Sequence, residues 1–140
     1  MSASIAYKAG YKYQLTEDYV TSVSIMGEGM IETEYIALYS DGMLTIRRGY
    51  AWDGPSGPTI DTLNFMRGAL VHDALYQLMR EQHLSRDCRE SADRILQRLC
   101  IEDGMTRLRA WWVYHVVRLG GGPAADPAHS KRVIRAPRAC

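Results

Sequence analysis

One segment divides this chain. From Gly49 to Pro58 it reads Gly-Tyr-Ala-Trp-Asp-Gly-Pro-Ser-Gly-Pro. Proline fixes φ and glycine reaches backbone angles closed to other residues, so the segment is a shaped loop through which neither strand nor helix continues. The hydrophobic period changes across it. Before the loop, apolar residues alternate in the two-residue period of strands. After it, they recur every three or four residues, the period of helices. Strands first and helices second, without alternation, place the chain in the α+β class.

In the first half, Tyr11 to Thr16 alternates, and Tyr19 to Ile25 is rich in β-branched residues, with Tyr19, Val23 and Ile25 on one face. After a turn at Gly27-Glu28-Gly29, Thr33 to Tyr39 sets Tyr35, Ala37 and Tyr39 opposite Ile36 and Leu38. Asp41-Gly42 predicts a two-residue hairpin into a return strand, Met43 to Arg48. The expected product is a small antiparallel sheet, mostly a meander.

In the second half, Leu63, Met66, Leu70, Ala74 and Leu78 predict a helix from about Leu63 to about Arg80. Gly68 inside it costs about 1 kcal/mol relative to alanine and marks a place where another backbone approaches. Asp87 and Glu90 predict a reciprocal cap for a second helix, which runs to about Glu102 on a stripe of Ala92, Ile95, Leu96 and Leu99 and ends at Gly104. A third helix is expected from about Met105 to Leu119, burying Leu108, Trp111, Trp112, His115 and Val116. Trp111 and Trp112 are adjacent and face different ways, so one suits the core and the other an interface. Gly120-Gly121-Gly122-Pro123 stops this helix. The expected architecture is an N-terminal antiparallel β-meander, a Gly/Pro-rich loop, three α-helices and an extended C-terminal tail. Residues 1–122 form a single domain and residues 123–140 the tail.

Composition narrows the function. A net charge of +1 argues against a basic nucleic-acid groove, so no specific nucleic-acid partner is expected. The N-terminus lacks the apolar run of a signal peptide, and no window approaches the roughly 20 apolar residues of a membrane span. Cys88, Cys100 and Cys140 form no Cys-x-x-Cys pair, and their odd number fits reduced thiols in a chain made in the cytosol.

The residues suited to chemistry follow the loop. His72 and Tyr76 are four apart and share a helix face, with Asp73 beside them. Asp53 lies in the loop, and Asp93 sits on the next helix, which a short connector makes antiparallel. A neutral imidazole takes a proton from water near neutral pH, and a carboxylate on its other nitrogen sets the tautomer. His72 is the candidate base, Asp93 its orienting carboxylate and Tyr76 a donor to Asp93. Asp53 and Asp73, with loop carbonyls, suit a hard cation such as Ca²⁺. That cation would polarise a carbonyl in metal-assisted ester hydrolysis.

Tyr50-Ala51-Trp52-Asp53-Gly54, His72-Asp73-Ala74-Leu75-Tyr76 and Ala92-Asp93 resemble the motifs of an uncharacterised family of small bacteriophage and prophage proteins, over roughly residues 10–120. That resemblance implies synthesis in a host cytoplasm and incorporation into a virion, with other virion proteins or further copies of the chain as partners. A more distant likeness is to secreted calcium-dependent phospholipases. It implies His72 as base, Asp73 as calcium ligand, Tyr76 and Asp93 as supporting pair, and a lipid or other cell-envelope ester as substrate. The chain departs from those phospholipases in lacking their disulfides, in a loop richer in proline, and in a sheet that precedes the helices.

Two readings stay open at this point. One is a phage-borne hydrolase built on His72 and Asp73. The other is a structural part of a tail or baseplate, in which the His-Asp-x-x-Tyr helix is a packing motif. Other chemistries fail on spacing. No histidine precedes His72 to complete a His-Asp phosphohydrolase set, and Gly54-Pro55-Ser56-Gly57 is one residue short of a nucleophile elbow. No phosphate loop and no zinc spacing occur.

Overall fold

The structure, a computed structural model, describes residue 5 and residues 7–8, 13–25, 29–52 and 63–125. Asp53, the rest of the Gly/Pro loop and the tail from residue 126 lie outside the described residues, as do residues 26–28 of the expected turn.

Antiparallel strands come first and helices follow, as the change of period requires. The strands are β1 (Tyr7–Lys8), β2 (Tyr13–Leu15), β3 (Tyr19–Ser22), β4 (Ile31–Glu32), β5 (Ile36–Leu38), β6 (Met43–Ile46) and β7 (Ala51–Trp52). They divide into two sheets where one was expected. The order is β1-β2-β7 in one and β3-β6-β5-β4 in the other. Only β4-β5-β6 is a meander; β3 pairs with β6 across it, with Tyr19 opposite Ile46. The residues that follow β6 leave the larger sheet, and Trp52 of β7 pairs with Tyr13 of β2. Burial from Tyr19 to Ile25 alternates strictly, with Tyr19, Thr21, Val23 and Ile25 buried.

The hairpin between β5 and β6 differs from the two-residue form. Gly42 takes φ +89° and its amide donates to the Tyr39 carbonyl at 3.0 Å, while the Asp41 carboxylate accepts from the Met43 amide. Ser40, Asp41 and Gly42 therefore make a three-residue loop with glycine in the left-handed position. A Cβ on Gly42 would lie 2.5 Å from the Val23 carbonyl oxygen, so this turn also clears the path of the chain that follows β3.

The helices are α1 (Leu63–Arg80), α2 (Arg89–Glu102), α3 (Arg107–Gly120) and a single turn, α4 (Gly122–Ala125). Helix α1 has the expected bounds but not the expected one-sided burial. Leu70, Val71, Ala74, Leu75, Leu78 and Met79 are all fully buried, while Leu63 is 85% exposed. A helix apolar over most of its circumference belongs largely in the interior. One apolar cluster joins α1 to Leu15, Ile36, Leu38, Leu44 and Ile46 of the sheets, with Tyr50 and Trp52 in the same cluster. A second joins Phe65 and Ala69 of α1 to Leu96 and Cys100 of α2 and to Ala110 and Val113 of α3.

Two corrections concern helix ends. Asp87 does not cap α2. A 3₁₀ turn (Arg86–Cys88) precedes that helix, the Ser85 hydroxyl accepts from the Asp87 amide, and Glu90 pairs instead with Arg94 at 2.9 Å. Helix α3 starts at Arg107, with the Thr106 hydroxyl accepting from the Arg109 amide. Met105 is drawn inward because Gly104, at φ +101°, closes α2 with paired bonds from Gly104 to the Ile101 carbonyl and from Met105 to the Cys100 carbonyl.

The largest correction is to α3. Leu108, Trp111, Trp112 and Val116 were expected inside but are 78%, 54%, 40% and 37% exposed, and His115 is exposed with them. The buried face is Ala110 and Val113, whose short side chains let α3 lie close to α2. Among the described residues, no helix is long and apolar enough to cross a membrane.

Gly68 sits where α1 meets α2. A Cβ there would lie 3.0 Å from Leu96 Cδ1, 3.1 Å from Cys100 Sγ and 3.2 Å from the Leu96 carbonyl oxygen. Gly68→Ala gains about 1 kcal/mol in helix propensity, but overpacking costs about 1–3 kcal/mol. Urea unfolding should show a net loss of about 1 kcal/mol, whereas a gain would show that the crossing is loose.

Candidate functional site

Because α1 is interior, the polar residues it carries must be satisfied inside. His72 and Tyr76 lie one turn apart with ring centroids 4.1 Å apart, and both are buried. Their partner is Asp93 of α2, which has no exposed surface. His72 Nε2 lies 2.6 Å from Asp93 Oδ1, and the Tyr76 hydroxyl donates to the same oxygen at 2.7 Å. A carboxylate only accepts, so Nε2 carries the proton and Nδ1 is the ring's free atom for acid–base work. Nδ1 lies 3.9 Å from Asp73 Oδ1, and the Asp73 side chain is 39% exposed. The structure thus brings His72, Asp73, Tyr76 and Asp93 together. Asp53 lies outside the described residues.

Two arginines complete the cluster. Arg118 Nη1, from the last turn of α3, donates to Asp93 Oδ2 at 3.0 Å. Arg89, at the start of α2, donates through Nε to the Tyr76 hydroxyl at 3.1 Å. Its Nη2 caps the end of α3 by donating to the carbonyls of Val117 and Arg118. Sequence reasoning missed both. Arg89 was findable, since it precedes Asp93 by four residues and shares its helix face. Arg118 gave no such signal, because its partner is distant in the chain.

The electrostatics follow from this wiring. Burial alone would raise the Asp93 carboxyl, but the His72 and Tyr76 hydrogen bonds and the nearby charges of His72 and Arg118 hold it below the ordinary carboxylate range. Burial alone would lower His72, yet its interactions with Asp73 and Asp93 prevail and raise it. Burial, and then Asp93, push the Tyr76 hydroxyl up, so it stays a donor. A second buried pair stands apart from this cluster. Arg67 of α1 grips Asp103 through Nε at 3.0 Å and Nη2 at 2.9 Å, and donates to the Tyr19 hydroxyl at 3.1 Å. It ties β3 to α1 and to the end of α2.

Cys88 and Cys100 are free thiols, and burial pushes Cys100 up to about 12, which leaves it a packing group and no nucleophile. Among the described residues, no cluster of three or more His, Cys, Asp or Glu side chains gathers for a metal. Asp73 supplies one carboxylate, whereas calcium takes six to eight oxygens.

Stability should follow pH on two flanks. Asp93 is lowered on folding, so its contribution is complete above the ordinary carboxylate value of about 4 and fades as pH falls. His72 is raised, so its contribution is complete below about pH 6.5 and fades as pH climbs through the folded value. Asp93→Asn should cost about 3 kcal/mol in urea unfolding near pH 6, because a buried pair loses its anion. It should also flatten both flanks. A variant as stable and as pH-dependent as wild type would show that Asp93 does not set this balance.

The chain was compared with known proteins. No curated protein and no solved structure matches it. A family model, Protein of unknown function (DUF1353), matches residues 30–117. That span contains His72, Asp73, Tyr76, Arg89 and Asp93 and stops one residue before Arg118. The chain belongs to the DUF1353 family of proteins of unknown function.

Proposed function

We propose that the chain is a small hydrolase that uses His72 as general base on an ester of lipid or another cell-envelope component. One observation carries this. His72 is held through Nε2 by a saturated buried carboxylate, and Nδ1 is turned toward the half-exposed Asp73. In the proposed step, water gives a proton to Nδ1 as its oxygen bonds to the ester carbonyl carbon. Asp93 holds the resulting imidazolium in place. The proton then leaves with the alkoxide as the carbon–oxygen bond breaks, and the neutral ring returns. The ester class rests on the likeness of His72-Asp73-Ala74-Leu75-Tyr76 and Asp93 to the phospholipase arrangement. Encoding by a phage or prophage, and a place in the virion, rest on the likeness of the three motif segments.

His72→Ala should lower hydrolysis of phospholipid vesicles by roughly a hundredfold to ten-thousandfold, with the helical circular dichroism retained. Since the base must be neutral and its folded value is raised, activity should climb with pH above about 6.5. The stability contributed by His72 should fall over the same range. Equal activity in wild type and variant removes the reading.

Calcium on Asp73 and Asp53 is part of the same proposal. Titration should change tryptophan emission, because Trp52 adjoins Asp53, and Asp73→Asn should abolish the response. No change on titration would sink the cation.

A second reading has its own support. Asp93 takes donors from α1 and α3 while sitting on α2, so the cluster serves as a clamp on three helices with no chemistry required. In that case the chain is a structural component of a tail or baseplate. Wild type would then show no hydrolysis, and the protein would be found in purified particles.

A further inference from the structure

Helix α3 wears its larger apolar side chains outward. Leu108, Trp112, Val116 and Leu119 follow one another at three- and four-residue spacing with Trp111 beside them, and Leu119 is 89% exposed. The face is pre-formed. The Trp111 ring packs on His115 at 4.3 Å, and Tyr114 meets His115 edge to face at 5.3 Å. Arg94 of α2 lies over Tyr114, 5.4 Å from the ring centroid.

Charge indicates what would cover this face. Arg107 and Arg109 flank Leu108, Arg118 precedes Leu119, and α3 has no acidic residue. Beyond Gly104 the chain carries seven Lys and Arg residues and one acidic residue, in a protein whose net charge is +1. A strong charge asymmetry within one chain points to an anionic partner. A second copy is a poor fit. Antiparallel pairing of two α3 helices would set Arg107 and Arg109 of one against Arg118 of the other. The chain's own residues 126–140 are also a poor fit, being basic themselves with one short apolar pair, Val133-Ile134. Tryptophan and leucine on one face with arginine along its edges is the make-up of a helix that lies in a lipid interface.

We propose that the outward face of α3 seats on an anionic lipid surface, with Leu108, Trp111, Trp112 and Leu119 entering the headgroup layer and the exposed Arg107 meeting lipid phosphates. Lipid binding by α3 does not require His72 to be a base, and its test measures no hydrolysis.

The test uses the full chain with two kinds of vesicle. One is phosphatidylcholine alone, and the other is phosphatidylcholine with an equal part of phosphatidylglycerol. Wild type should sediment with the second far more than with the first, and less as salt is raised. Tryptophan emission should move to shorter wavelength; Trp52 is already buried, so the change reports Trp111 and Trp112. The double variant Trp111→Glu, Leu119→Glu should bind roughly tenfold or more weakly, with unchanged circular dichroism, since both residues are exposed. Arg107→Glu should weaken binding about fivefold or more. Three outcomes overturn the proposal. Wild type stays in solution with both vesicles. The double variant binds as wild type does, which assigns binding to the basic tail. Or wild type is a dimer without lipid that Trp111→Glu dissociates, which makes the face a contact between copies.

Discussion

A carboxylate without exposed surface has lost the water that would stabilise its charge, and the fold around Asp93 is arranged to replace that water. Three donors do so, and they come from two commitments of the chain. His72 and Tyr76 require α1 to pass through the interior with one face turned to α2. Arg118 requires the last turn of α3 to end beside the same point. Arg89 then fixes that end by binding the α3 carbonyls while it donates to Tyr76. Loss of any one leaves a buried polar group short of a partner, and such groups are costly because the interior offers no substitute. The helical half is therefore held by polar geometry as well as by apolar packing, and residues of the two sheets join α1 in one apolar cluster.

The same arrangement decides what His72 can be. Asp93 shares its charge between Arg118 and His72, and Asp73, 3.9 Å from Nδ1, adds a second carboxylate beside the ring. Asp73 therefore has two effects. It favours the imidazolium, and it is the partly exposed neighbour of the ring nitrogen that Asp93 does not hold. A base reading and a clamp reading share every hydrogen bond. They differ in whether Nδ1 gives and takes a proton or keeps it, which makes protonation the property that separates them.

Much of this was legible in the sequence, for identifiable reasons. The change of period at the Gly/Pro segment fixes the class, and the four-residue spacing of His72 and Tyr76 fixes their shared face. The short connector after Arg80 makes α2 antiparallel, which is enough to bring Asp93 opposite them. The inside and outside of α3 were not legible. Leu108, Trp111, Trp112 and Val116 form the more hydrophobic stripe, and hydrophobic period reports a stripe without saying what it faces. The inward face is Ala110 and Val113, selected by closeness of approach to α2. The extent of burial along α1 was hidden for a related reason. Val71, Leu75 and Met79 are buried although they lie off the stripe of Met66, Leu70, Ala74 and Leu78, and the period of that stripe does not show how far round the cover extends.

The glycine run after α3 shows how a stop signal also sets geometry. Gly120-Gly121-Gly122-Pro123 reads as the end of a helix, and the helix does end there. Gly121 is at φ −82°, an angle open to any residue, so backbone freedom does not explain its place. Space does. A Cβ on Gly121 would fall 2.5 Å from the Val117 carbonyl oxygen, 2.8 Å from the Tyr76 hydroxyl and 3.2 Å from its Cε2, closer than the helix end and the ring permit. A bare backbone at this position lets the end of α3 lie against Tyr76. That contact brings Arg118 within reach of Asp93 and its carbonyl within reach of Arg89. Gly68 acts similarly where α1 meets α2, by admitting Leu96 and Cys100. The hydrogen bonds of the cluster are thus set by two positions that make none of them through a side chain. A larger residue at either would act on His72 through distance alone.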